Sequence, residues 1–167
     1  QAFFDRAAVA RLAHAHEFDP KALVEQGFVG AREIEVAVLG TTDGPPRVSL
    51  AGEIRMHTPD AFYDFEAKYT PDNQVSLDVP ARISDDLLRR AQRLGARTFT
   101  AMDVEGLARV DLFVTPDEAV FVNELNTMPG FTRLSMYPSL WQETGLSYSE
   151  LITELIMLAM ERPMGLR

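Results

Sequence analysis

GLARVDLFVTPDEAVFVNELN, residues 106–126, decides the fold. Two apolar-rich runs flank Thr115-Pro116-Asp117-Glu118, a strand–turn–strand pattern with strands over 107–114 and 119–125. Side chains alternate along a strand, so Leu107, Arg109, Asp111 and Phe113 share one face of the first. On the second, Glu124 and Asn126 share a face with Val120 and Val122. A turn centred on Asp117 and Glu118 sets Asp111 opposite Glu124, with β-carbons about 5 Å apart. Opposed carboxylates repel unless something positive stands between them. Arg109 is one candidate and a divalent cation another. Asn126 adds a neutral oxygen two residues on, and such oxygen sets suit Mg²⁺ or Mn²⁺. The alternative is an ordinary solvated strand face.

Working outward, 33–39 alternates, with Ile34, Val36 and Val38 on one face and Glu33, Glu35 and Ala37 on the other. That is a half-buried strand. Gly44-Pro45-Pro46 marks a turn, and 47–55 reads as its partner strand. A short strand is expected over 22–25, and a helix over 2–16 with Phe3, Ala7, Ala10 and Leu12 inward. Residues 57–75, polar and aromatic with Pro59 and Pro71, read as a long loop, a length usually tied to function or disorder. Ser84 caps a helix over 84–99, with Asp85 and Asp86 in its first turn and Leu87, Leu88, Ala91 and Leu94 as its apolar stripe. Residues 127–138 turn at Pro129-Gly130 and form a loop. It either wraps a small ligand, with Ser135 and backbone amides as donors, or is simply buried. Ser147 and Glu150 form a capping-box pattern opening the last helix, which carries Leu151, Leu155, Ile156 and Leu158 and ends at Pro163. The expected class is α+β: a largely antiparallel sheet with helices packed on one face.

Composition narrows the function. The chain has 167 residues, enough for one domain or one lobe of a larger enzyme. Lys and Arg number 16 against 25 Asp and Glu, a net charge of −9 that disfavours nucleic-acid partners. With no cysteine, disulfides, thiolate metal sites and cysteine nucleophiles are excluded, which suits a cytoplasmic protein. No apolar run approaches the roughly 20 residues of a membrane helix. His14, His16 and His57 lack metal-ligand spacing, and Arg133 and Trp141 read as structural.

Taken together, GLARVDLFVT (106–115), VNELNTMPGFTRLSMYPSLW (122–141), FYDFEAKY (62–69), ALVEQGFVGAREIEVAVLG (22–40) and GLSYSELITELIMLAMER (145–162) resemble the carboxy-terminal part of D-alanine–D-alanine ligases of the ATP-grasp superfamily. The resemblance runs from about Asp19 onward. It implies an ATP-grasp carboxy-terminal subdomain spanning 1–167, with 1–18 a helix from the preceding subdomain and 57–75 a substrate-covering loop. It implies ATP-dependent joining of two D-alanines through an acyl phosphate, for peptidoglycan precursors, using two Mg²⁺ or Mn²⁺ ions. Asp111 and Glu124 would hold one ion, and Glu124 and Asn126 the second. Arg109 would stabilise charge on the acyl phosphate and tetrahedral intermediate, and Lys68 would reach the γ-phosphate. Glu25, Gln26 and Phe28 would meet adenine, Glu33 would accept from the ribose, and Phe113 would line the nucleotide site. Ser135 and Met136 would contact the second D-alanine, Gly130 would donate its amide to the oxyanion, and Tyr69 would help close the loop. Relatives that accept D-lactate tend to carry His where Tyr69 stands, so Tyr69 favours an amine acceptor.

The pattern is not matched everywhere. Gln26 and Gly27 stand where relatives often carry Lys and Trp, which remodels the adenine pocket. The family's amino-terminal domain and Gly/Ser-rich phosphate loop do not precede Gln1, so the chain reads as a portion of such an enzyme that is inactive alone. The whole enzyme is expected to be a homodimer. Two alternatives stand beside this reading: an ATP-grasp ligase with D-serine or D-lactate as acceptor, and a non-catalytic nucleotide- or Mg²⁺-binding module.

Overall fold

The structure, a computed structural model, describes residues 14, 17, 20–21, 27–41, 44–56 and 75–162. Its elements run β1 (Arg32–Gly40), β2 (Arg47–Met56), β3 (Val75–Asp78), α1 (Asp85–Ala101), β4 (Gly106–Val114), β5 (Val120–Asn126), α2 (Met136–Glu143) and α3 (Tyr148–Glu161). The strands form one sheet in the order β3-β2-β1-β4-β5, antiparallel at each step. This is the expected α+β class with an antiparallel sheet. The strand expected over 22–25 and, His14 apart, the helix over 2–16 lie outside the described residues, as does most of the 57–75 segment. That segment's last residue, Val75, already belongs to β3.

The helices occupy both faces of the sheet rather than the expected one. On one face, Ile34, Val36 and Val38 of β1 and Val110, Leu112 and Val114 of β4 pack against Leu87, Ala91 and Phe99 of α1. On the other, Ala37 and Leu39 pack against Tyr137, Leu140 and Trp141 of α2 and Leu151 of α3. Central β1 is therefore buried on both sides, from Ile34 through Leu39. The second face is covered because the end of 127–138, expected as loop, begins α2 at Met136, and α3 packs beside it. Pro138 does not prevent this, because it sits in the first turn, where its missing N–H has no helical acceptor to lose.

Two glycines set how closely the helices approach. A β-carbon on Gly95 of α1 would stand 2.7 Å from Cγ2 of Val36, and one on Gly52 of β2 would stand 2.7 Å from Sδ of Met136. The expected caps are present. Ser84 Oγ accepts from the Leu87 amide at 3.2 Å, and Ser147 and Glu150 exchange both capping-box hydrogen bonds. Leu155 and Leu158 of α3 pack inward with Leu151, but Ile156 is turned to solvent, contrary to the expected stripe.

The β4–β5 hairpin brings Asp111 opposite Glu124 and Arg109 opposite Asn126 by a route the alternation rule missed. Pairing runs Val114–Val120, Phe113–Phe121 and Leu112–Val122, then skips Asn123. This bulge adds one residue and reverses the parity of β5. Val120 and Val122 therefore do not share a face with Glu124 and Asn126 as expected. They lie across from Val114 and Leu112, on the side that packs on α1.

Candidate functional site

The second face of the sheet is only half covered. Helices α2 and α3 pack over Ala37, Leu39 and Leu107. Beyond them, at the Glu33–Phe113 end of the β1–β4 pair, the strands line a cavity of about 310 Å³. Glu33 and Glu35 of β1, Ile54 of β2, Arg109, Asp111 and Phe113 of β4, and Glu124 of β5 line it. The register explains the grouping. Glu33 pairs with Phe113, Glu35 with Asp111, and Asp111 in turn with Glu124, so three adjacent strands deliver carboxylates to one row.

Arg109 organises the row. Its Nε and Nη2 donate to the two carboxylate oxygens of Asp111, each at 2.7 Å, a bidentate pair of the strong kind. The same Nε lies 3.2 Å from Oε2 of Glu35. All three side chains are largely shielded, with 16% of Arg109, 13% of Asp111 and 3% of Glu35 exposed. Burial disfavours the charged guanidinium, but the Asp111 hydrogen bond and the charges of Glu35, Asp111 and Glu124 outweigh it. Arg109 is held above its ordinary value and stays a cation at any working pH.

The other expected residues fall into three groups. Asn126 lies beside Arg109 on β5, and its Oδ1 accepts from the Met128 amide at 3.0 Å. Gly130 and Ser135 approach each other past this end of β5, where Ser135 Oγ accepts from the Thr132 amide at 3.0 Å. Met136 is buried against β2, so its side chain belongs to the core. At the opposite end, Phe28 stacks on Phe121 with centroids 4.7 Å apart and tilts against Phe113 at 5.7 Å. Glu25, Gln26, Lys68 and Tyr69 lie outside the described residues.

Among the described residues, no three His, Cys, Asp or Glu side chains form a ready metal cluster. A cation would instead rest on Asp111 and Glu124 with the Asn126 amide. That set fits a hard divalent ion: the donors are oxygens, they sit on adjacent strands, and the Asn126 carbonyl keeps a second lone pair beyond the Met128 bond. A guanidinium already serves as cation to Asp111, which shows that this spot favours positive charge. A larger cavity, about 560 Å³, opens near the C-terminal end of α3 beside the Glu105–Arg162 ion pair. None of the candidate binding or catalytic residues read from sequence lines it.

Two contributors escaped the sequence reading. Phe121 has no role in the sequence pattern, yet the register sets it across from Phe113, where both rings meet Phe28. Glu35 was placed on the right face, but its contact with Arg109 depends on β4 lying next to β1, which alternation does not reveal.

Comparison with known proteins places the chain in a family. The profile of the family described as D-ala D-ala ligase C-terminus matches residues 6–157. The chain belongs to that family. The matched span takes in the candidate site residues, from Glu25 to Met136. It is similar to the D-alanine–D-alanine ligase of Arthrobacter sp. (strain FB24), 51% identical over 95% of this chain and 42% of that protein. It is similar also to that of Kocuria rhizophila, 53% identical over 95% of this chain and 41% of that protein. The chain thus spans about two-fifths of the length of these curated relatives. Among solved structures, the D-alanine-D-alanine ligase from Coxiella burnetii superposes with a TM-score of 0.77 at 33% identity, over 97% of this chain and 41% of that one. The VanG D-Ala:D-Ser ligase from Enterococcus faecalis does so with a TM-score of 0.78 at 34% identity, over 93% and 43%. The ATP-grasp carboxy-terminal fold expected from sequence is that of these neighbours. Among the described residues, no helix is long and apolar enough to cross a membrane.

Proposed function

We propose that the polypeptide carrying this chain is an ATP-dependent ligase that joins two D-alanines, and that this chain supplies the cation-binding and charge-stabilising half of its site. The observation that carries the reading is that Arg109, shielded with Glu35 and Asp111, lines one cavity together with the more exposed Glu124. Relatives named D-alanine–D-alanine ligase share about half of its residues, which supports D-alanine as acceptor.

In the proposed reaction, a carboxylate oxygen of the first D-alanine attacks the γ-phosphorus of ATP, and ADP leaves. The amine of the second D-alanine then attacks the acyl carbon, loses a proton, and inorganic phosphate leaves. Bound Mg²⁺ would neutralise charge on the phosphates. Asp111, Glu124 and Asn126 would hold it. Arg109, a permanent cation in a water-poor site, would stabilise the acyl phosphate and the oxyanion of the second step. The Gly130 amide would add a donor at the Asn126 end. Lys68 at the γ-phosphate, Tyr69 over the second site, and Glu25, Gln26, Phe28, Glu33 and Phe113 around the nucleotide complete the proposed roles. Such catalysis is positioning and electrostatics, with no covalent attachment to the protein. A dimeric, cytoplasmic enzyme remains part of the proposal.

The test is Glu124→Ala in the ligase polypeptide. It should abolish D-alanyl-D-alanine formation, and ligation near the normal rate in saturating Mg²⁺ would reject the cation role. Product mass from mixed D-alanine, D-serine and D-lactate decides the acceptor.

A further inference from the structure

Arg109 is shared between two carboxylates of unequal depth. Asp111 sits toward the cavity mouth, 13% exposed, and takes both ends of the guanidinium fork. Glu35 sits beneath it on central β1, 3% exposed, directly across the sheet from Asp111 and 3.2 Å from Arg109 Nε. Only one of them can serve a ligand entering from outside. If Asp111 turns its oxygens to a divalent cation, Arg109 loses two charge-assisted hydrogen bonds at once. A cation would also repel it. A guanidinium so released would swing to solvent unless a second anion stayed in place.

We infer that Glu35 is a positioning residue: it keeps Arg109 in the site when Asp111 is committed to a divalent cation. This rests on the cation reading above. Glu35 is suited to the task because it is too deep to reach an entering cation readily and is fixed on the strand that both cores grip. Its contact is to Nε, which leaves the guanidinium end free to face a phosphate or an oxyanion once Asp111 lets go.

The experiment follows the Arg109 Nε–H by ¹⁵N NMR on this 167-residue chain, with Mg²⁺ alone as the probe. Backbone amides of Asp111 and Glu124 report whether Mg²⁺ binds. In the wild type, Arg109 Nε–H should stay resolved and slow to exchange at saturating Mg²⁺. In Glu35→Gln it should be resolved without Mg²⁺, through Asp111, and exchange about tenfold faster once Mg²⁺ is added, the equivalent of one charge-assisted hydrogen bond. Asp111→Asn, with no metal present, should keep the signal through Glu35. A Glu35→Gln signal that survives Mg²⁺ overturns the inference. So does loss of the signal in Asp111→Asn, or loss of Mg²⁺ binding itself in Glu35→Gln, which would make Glu35 a ligand. If the wild type binds no Mg²⁺, the cation reading fails separately, and the Asp111→Asn arm still decides whether Glu35 alone holds Arg109.

Discussion

Arg109 shows how a single side chain can be both scaffold and chemistry. Replacing it with alanine would leave Glu35 and Asp111 facing each other in a shielded row, and removing one partner of a buried ion pair typically costs about 3–5 kcal/mol. Denaturant titration of Arg109→Ala should show a loss of that order. Arg109→Lys keeps the charge but not the fork. It should fold better than Arg109→Ala yet ligate about 10²–10³ times more slowly, the usual cost of losing one well-placed donor to a developing oxyanion. A near-normal rate for the lysine variant would mean that charge alone suffices. The hairpin itself was legible, because a Pro-Asp turn between two apolar runs is a local signal, but Asp111 meets Glu124 only because a bulge at Asn123 offsets a one-residue difference in the turn register. The contact between Glu35 and Arg109 was not legible, because it depends on which strand lies beside β4.

At the level of elements, the caps were the most legible features, since each is written within four residues. In α3, the Ser147 hydroxyl first, and then the Ser147 amide, holds the Glu150 carboxyl below its ordinary range. A carboxyl depressed in the folded chain stabilises above its unfolded value, and that contribution is lost as pH falls through its folded value. Acidifying from neutral to about pH 3 should therefore loosen the start of α3, and Ser147→Ala should flatten this dependence in denaturation at the two pH values. An unchanged pH dependence in the variant would count against the box. The helix α2 was not legible because it is only eight residues long and lacks the side-chain cap that marks α1 and α3. Gly95 makes a sharper test of packing. Alanine there would gain up to about 1 kcal/mol of helix propensity. It would also drive a methyl to 2.7 Å from Val36, a stiff β-branched residue fixed in central β1. Overpacking of this kind costs about 1–3 kcal/mol. Gly95→Ala should thus be net destabilising, and a rise in melting temperature would refute the tight approach of α1.

For the whole molecule, the antiparallel pairings β1–β2 and β4–β5 followed from hairpin signals, but β3, the placing of β4 beside β1 and the two-sided core did not, because each depends on contacts between segments far apart in sequence. One consequence concerns the sheet's rim. Among the described residues, β5 ends the sheet, and Phe121 and Val122 are substantially exposed along it. An open rim of apolar residues is a template on which another chain can zip. The extra residue at Asn123 breaks that template in the middle while setting Glu124 opposite Asp111. Deleting Asn123 would leave Asp111 and Glu124 neighbours, since only the surplus position is lost, yet it would straighten the rim. The variant should keep its carboxylate pair and begin to self-associate with rising concentration in sedimentation runs, so the kink that shapes the pocket also keeps the chain from sticking to its own copies.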